Sequence, residues 1–149
     1  MFTNFEIMTS RSKVYFFFEK KIPGLKNRNK LKAFIERLLK AEGKRLSGIN
    51  YIFCSDKYLL EINRKYLKHD NYTDIITFDL SEDNFIIAEI YISIDRVKAN
   101  AYEMGTGVQK ELHRVIFHGA LHLCEYNDKS NRQKLKMRSK EEEYLGKYF

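Results

Sequence analysis

The chain has 149 residues, 44% of them apolar, a formal net charge of +7 and two cysteines, Cys54 and Cys124. That length and apolar share suit a single globular domain over residues 1–149 with a real core, and two cysteines form no disulfide framework. No basic start leads into a cleavable apolar leader, and VYFFF is far too short to span a bilayer, so the reading is a cytoplasmic protein with reduced thiols and no membrane partner.

Along the chain, a strand is predicted over residues 13–19, where VYFFF is rich in strand formers. Pro23 and Gly24 then punctuate a turn. Leu31, Phe34, Ile35, Leu38 and Leu39 follow at amphipathic spacing, a helix that Gly43 ends. Residues 48–54 read as a strand, and Ser55 is a good cap for the helix DKYLLEINRKYL. The loop KHDNY comes next, free to carry function without disturbing a core. Strands over 74–79 and 85–93 form a hairpin with EDN at its tip. Ser93 opens a helix to about Met104 whose face includes Ile94, Val97 and Ala101, and Gly105 and Gly107 break it. From Val108 to about Cys124 runs a long, largely apolar helix that must be buried over most of its surface. A last helix follows Ser130, anchored by Leu135 and Leu145. The sum is an α+β chain: a small mixed sheet of about four strands packed with about five helices.

The chemistry concentrates in the buried helix. His118 and His122 stand four residues apart in FHGALHLCEYND, a little over one turn, so both imidazoles leave the same face. Unpaired imidazoles among Phe117, Leu121 and Leu123 would be costly to bury, which favours a metal clamp over two idle surface histidines. Asp128, six positions on, can return as a third ligand, and three protein ligands leave a position open for a reactant. In metalloproteases of the HExxH type a glutamate follows the first histidine as general base; here that position is Gly119, which demotes peptide hydrolysis. Cys124 turns off the histidine face and reads as core packing, and His113 faces another side, where a solvent or packing role is expected. His69 in the KHDNY loop reads as an idle loop histidine, with an approach to the metal or a phosphate as the alternative, and Thr73 and Asp74 read as ordinary hydrogen-bonding residues at the start of a strand.

The same segment resembles the YbeY-type endoribonucleases, whose signature His-Gly-x-Leu-His-Leu-x-Gly-Tyr-Asp-His is met by His118, Gly119, Leu121, His122, Leu123 and Tyr126. Two further blocks agree: INRKYLKHDNYTDIITFDL over 62–80 and AEIYIS over 88–93, so the resemblance spans about residues 50–145. It implies a zincin-like fold and one bound Zn2+, or another divalent transition metal, on His118, His122 and Asp128. It further implies single-strand-specific cleavage of RNA in ribosomal RNA maturation, at the 3′ end of the small-subunit RNA, and a part in ribosome quality control. The partners implied are single-stranded RNA, ribosomal RNA and the small ribosomal subunit. A water on the metal, or a ribose hydroxyl, is the expected nucleophile, because no histidine remains in the motif as a free base.

The departures matter too. Asp128 replaces the family's third histidine, an acceptable zinc ligand that adds negative charge. Glu125 stands where the family has glycine; if the turn needs positive φ, the substitution costs about 1 kcal/mol, unless Asn127 takes the turn instead. Leu67 replaces an arginine proposed to hold phosphate, leaving Lys68 or Arg64 as substitutes, and Ala88 and Glu89 replace a Gly-Asp pair. These losses keep open a non-catalytic, metal-pinned ribosome-assembly factor that binds RNA or a ribosomal protein, and behind it a metallopeptidase-type hydrolase. Charge fits a polyanionic partner: residues 1–50 hold 12 Lys and Arg against 4 Asp and Glu, with KKIPGLKNRNKLK a candidate phosphate-tracking surface or simply a solvated helix face.

Overall fold

The sheet is built on the alternation of its central strands. In β4 (Phe85–Ser93), Ile86, Ala88, Ile90 and Ile92 are buried while Phe85 and Ile87 are exposed, the period-two pattern of a strand with one face on a core. Its parallel neighbour β2 (Arg45–Cys54) places Ile49, Tyr51 and Phe53 opposite Ala88, Ile90 and Ile92, so the two buried rows form one wall. β1 (Val14–Phe18) pairs parallel with β2, and β3 (Ile75–Asp79) pairs antiparallel with β4, giving the mixed order β1-β2-β4-β3. The structure, a computed structural model, describes residues 12–22 and 25–149; the turn predicted at Pro23 and Gly24 lies outside the described residues.

Among the described residues, five α-helices cover this sheet. α1 (Arg28–Ala41) makes the parallel crossover from β1 to β2 and buries the five apolar residues predicted for it. α2 (Asp56–Ile62) packs Leu59 with Cys54 and Ile76 in a smaller cluster, separate from the main core. α3 (Ile94–Met104), α4 (Val108–Leu123) and α5 (Asn131–Tyr148) send Val97, Phe117, Met137 and Tyr144 into the main core. Ser55, Ser93 and Ser130 each accept a backbone N–H from the first turn of the helix they precede, and Ser130 with Gln133 completes a reciprocal capping box. Among the described residues, no helix is long and apolar enough to cross a membrane.

Three expectations need correction. β2 begins at Arg45, three residues earlier than predicted, because the register with β4 shifts between Leu46 and Gly48 and that irregularity hides the alternation. The helix DKYLLEINRKYL is α-helical only to Ile62 and ends in a π turn, Asn63–Leu67. There the buried Asn63 side chain donates to the Asn71 carbonyl at 2.8 Å, and its own carbonyl accepts the N–H groups of Lys68 and His69, which ties the loop down ahead of β3. Finally, Leu135 is no anchor: it is 73% exposed, whereas Leu145 is buried. The buried stripe of α5 is Met137, Glu141, Tyr144, Leu145 and Tyr148, and Leu135 lies about 160° round the helix from Met137 at 100° per residue.

Candidate metal centre

α4 lies hard against β3 and β4, and Gly119 is the reason it can. A Cβ at that position would sit 3.0 Å from Ile75 Cδ1 and 3.1 Å from Ile90 Cγ2. The residue after the first histidine therefore faces the sheet, and a glutamate base of the HExxH type has no room there. Tyr51 fixes the helix from the same side, its hydroxyl donating to the Ile116 carbonyl at 2.9 Å in full burial.

The end of α4 turns the chain back toward the histidines. Glu125 takes the left-handed conformation itself, at φ 71°, while Asn127 does not have positive φ, contrary to the expectation that it could take the turn. The Tyr126 N–H bonds to the Leu121 carbonyl and the Glu125 N–H to the His122 carbonyl, the two bonds of a Schellman ending. With this reversal, Asp128 Oδ2 comes 3.3 Å from His118 Nε2 and 3.4 Å from His122 Nε2. Tetrahedral zinc with bonds of about 2.0–2.1 Å spaces its ligand atoms about 3.3 Å apart. The trio, whose ligand atoms all lie within 4.8 Å of one another, could therefore hold a metal ion with little rearrangement.

Behind this trio stands a charged network. His118 Nδ1 is 2.6 Å from Glu141 Oε2, an arrangement in which the Nδ1–H donates to the carboxylate and the Nε2 lone pair is left for the metal. Glu141 Oε1 accepts from Arg114 Nη1 at 3.0 Å, and Arg114 makes a two-pronged pair with Glu111 at 2.7 and 2.8 Å. Glu111 and Glu141 are each 2% exposed. Burial pushes the Glu141 carboxyl up, but the His118 hydrogen bond and the Arg114 charge outweigh it and hold the group below the usual glutamate range. Burial depresses the His122 pKa, helped by the neighbouring His118 and opposed by Asp128, which favours the neutral imidazole that a metal requires.

Two clefts meet at His118 and Asp128. One, of about 400 Å3, is lined by Thr73, Asp74, Thr77 and Asp79 together with His118, His122 and Asp128. The other, of about 620 Å3, runs along α5 past Asn131, Lys134, Leu135 and Arg138, and reaches His118 and Asp128. Asp74 does make the expected contact at the start of its strand, its carbonyl accepting the Ser93 N–H at 2.9 Å. Its half-buried carboxyl also borders the first cleft, where burial raises its pKa against the pull of Arg114 and His118.

The remaining sequence candidates lie elsewhere. Arg64 is engaged with Asp70, and neither Arg64 nor Lys68 lines either cleft. His69 is exposed in its loop and is absent from the ligand trio. His113 is a fully buried packing residue against Tyr148 and Phe149, its Nδ1–H donating to the Gln109 carbonyl at 2.7 Å. Cys124 is buried, and burial pushes its thiol up to about 12, which suits an inert core residue. Sequence reasoning missed Glu141, Arg114 and Glu111. The i, i+3 spacing of Glu111 and Arg114 on the ligand-bearing helix was the one available signal.

Comparison with known proteins agrees with this geometry. The family model described as "Endoribonuclease YbeY" matches residues 18–149. A Cytophaga hutchinsonii protein of that name is 47% identical over 133 residues, covering 89% of this chain and 93% of its own length. A Bacteroides thetaiotaomicron protein of the same name is 49% identical over 109 residues, 73% of this chain and 79% of the other. Among solved structures, the solution structure of TM1509 from Thermotoga maritima superposes with a TM-score of 0.67 at 31% identity, covering 91% of this chain and 88% of that one. A match across nearly the whole chain, including the helix and turn that carry the ligand trio, leaves one conclusion: the chain belongs to the endoribonuclease YbeY family.

Proposed function

We propose that this protein is a single-strand-specific, metal-dependent endoribonuclease of the cytoplasm that works as one domain in ribosomal RNA maturation. Its substrate is the 3′ end of the small-subunit RNA, and it contributes to ribosome quality control. The observation that carries the reading is the ligand trio opening onto two clefts, with 3.3 and 3.4 Å between each histidine and Asp128. Zinc is the metal we assign, because two imidazoles and one carboxylate are a familiar zinc set with a vacant fourth position. Bound there, a divalent ion polarises a phosphoryl oxygen and lowers the pKa of water toward neutrality.

The protein's own part is positional. Glu141 holds the His118 ring and its Nδ1 proton, Asp128 returns on the Schellman turn, and Gly119 sets α4 against the sheet. Single strands are favoured because splayed bases and a bare backbone can enter clefts that a stacked duplex cannot. A second reading, a metal-pinned assembly factor without turnover, draws on Leu67, which is 41% exposed and brings no cation where the family is expected to have one.

The test combines elemental analysis with a cleavage assay on labelled single-stranded and duplex RNA, with and without chelator. We expect about one zinc per chain, cleavage of the single strand only, and loss of both metal and cleavage in His118→Ala. Cleavage that survives chelation, or persists in His118→Ala, refutes the proposal. Stoichiometric metal with RNA binding but no turnover would favour the assembly-factor reading.

A further inference from the structure

The larger cleft beside the ligands is walled by one face of α5, and that face is cationic and open. Asn131, Lys134 and Arg138 recur at helical spacing along it, with Leu135 between them. Arg138 Nη1 stands 3.5 Å from Glu141 Oε1, whose other oxygen contacts His118, so this cation is two contacts from a metal ligand. Its side chain is nonetheless 52% exposed. Lys134 is exposed and, among the described residues, makes no ion pair. Leu135, 73% exposed, belongs to no core cluster among the described residues. A solvated helix face needs neither a leucine in its middle nor a cleft of about 620 Å3 beneath it.

We infer that Lys134 and Arg138 are the positioning residues for the substrate backbone, holding phosphates next to the one at the ligand trio, with Leu135 offering an apolar surface to a base or ribose. This deepens the proposed function and rests on its reading of RNA as substrate. Charge complementarity selects the occupant. Asp128 borders both clefts; the smaller adds the carboxylates of Asp74 and Asp79, which repel a polyanion, whereas the larger adds Lys134 and Arg138, its Glu141 being paired with Arg114 and His118. A strand held at the trio is therefore directed along α5. The same wall supplies the phosphate contact that Leu67 cannot make, and supplies it inside a cleft that Arg64 and Lys68 do not line. Both side chains act by binding and register, and neither takes part in bond making.

The test compares the zinc-loaded wild type, Lys134→Ala/Arg138→Ala and a control, Arg132→Ala/Lys136→Ala, which removes equal charge from the other side of the same helix. Binding of a fluorescent single-stranded RNA 12-mer is followed by anisotropy across a salt series, beside cleavage kinetics and zinc content. Two lost phosphate contacts should lower the salt dependence, as the log–log slope, by about 1.4 and weaken low-salt binding on the order of tenfold. KM should rise with kcat within a few-fold, zinc content should not change, and the control should match wild type. An unchanged slope and affinity in the Lys134/Arg138 variant, or an equal loss in the control, overturns the inference. Because binding is read separately from turnover, the inference can fail while wild-type cleavage and its chelator sensitivity persist. Wild-type protein that binds no single-stranded RNA would overturn both.

Discussion

Glu141 gives the sharpest test of how the site is built. Its carboxylate touches His118, which we assign to the metal, at 2.6 Å and a buried cation, Arg114, at 3.0 Å, and it is 2% exposed. Two effects must separate on substitution. Removing a carboxylate behind a ligating histidine weakens metal binding about 10–100-fold, which is about 1.4–2.7 kcal/mol. Removing one partner of a buried charge network costs about 3–5 kcal/mol when nothing replaces it, although Arg114 keeps its two-pronged bond to Glu111 and so should fall at the low end. Glu141→Gln preserves volume and an acceptor oxygen for the His118 Nδ1–H, so it should lose metal affinity near tenfold and unfold only slightly earlier. Glu141→Ala should lose affinity near a hundredfold and destabilise the metal-free protein by about 3 kcal/mol. Zinc competition against a chromophoric chelator reads the first quantity, and denaturant unfolding of the apoprotein reads the second. If Glu141→Ala binds zinc as tightly as wild type, the carboxylate is not orienting His118 and the account of the network is wrong.

Further expectations follow from individual positions. Glu125→Gly relieves the φ of 71° at the end of α4 and loses only an ion pair with Lys44 in which Glu125 is 84% exposed, so it should gain up to about 1 kcal/mol, roughly 2–4 °C in Tm by calorimetry. Gly119→Ala should destabilise by about 1 kcal/mol in urea unfolding, as overpacking on Ile75 and Ile90 outweighs the better helix propensity. Gly119→Glu should be far worse and confer no peptidase activity; a stable, proteolytic variant would contradict the packing. The pH dependence has a definite sign. Burial holds the His113 pKa below its unfolded value, so the native state binds fewer protons and stability falls as pH drops from about 6.5 through the depressed native value. His113→Phe, which also removes a buried Nε2 with no partner among the described residues, should flatten the loss measured between pH 7.5 and pH 5. An unchanged slope would assign the acid sensitivity to other groups.

What the sequence disclosed and what it withheld divide along the range of the interactions. His118, His122 and Asp128 lie within eleven residues, on one helix and the turn that ends it, so local geometry is enough to bring them together. Glu141 lies 23 residues beyond His118, inside a run of three glutamates. Any of the three could face inward until the packing of α5 on α4 sets its rotation, and that is a tertiary fact. The same missing rotation explains Leu135. Hydrophobicity alone nominates it as an anchor, but Met137, Tyr144, Leu145 and Tyr148 outvote it, and the stripe they define carries Glu141 into the core. Once that phase is set, the two errors become one result. The rotation that buries Glu141 behind His118 also turns Lys134, Leu135 and Arg138 outward along the cleft, so a single helix holds the His118 ring from its buried side and offers, from its open one, the wall we assign to the RNA backbone.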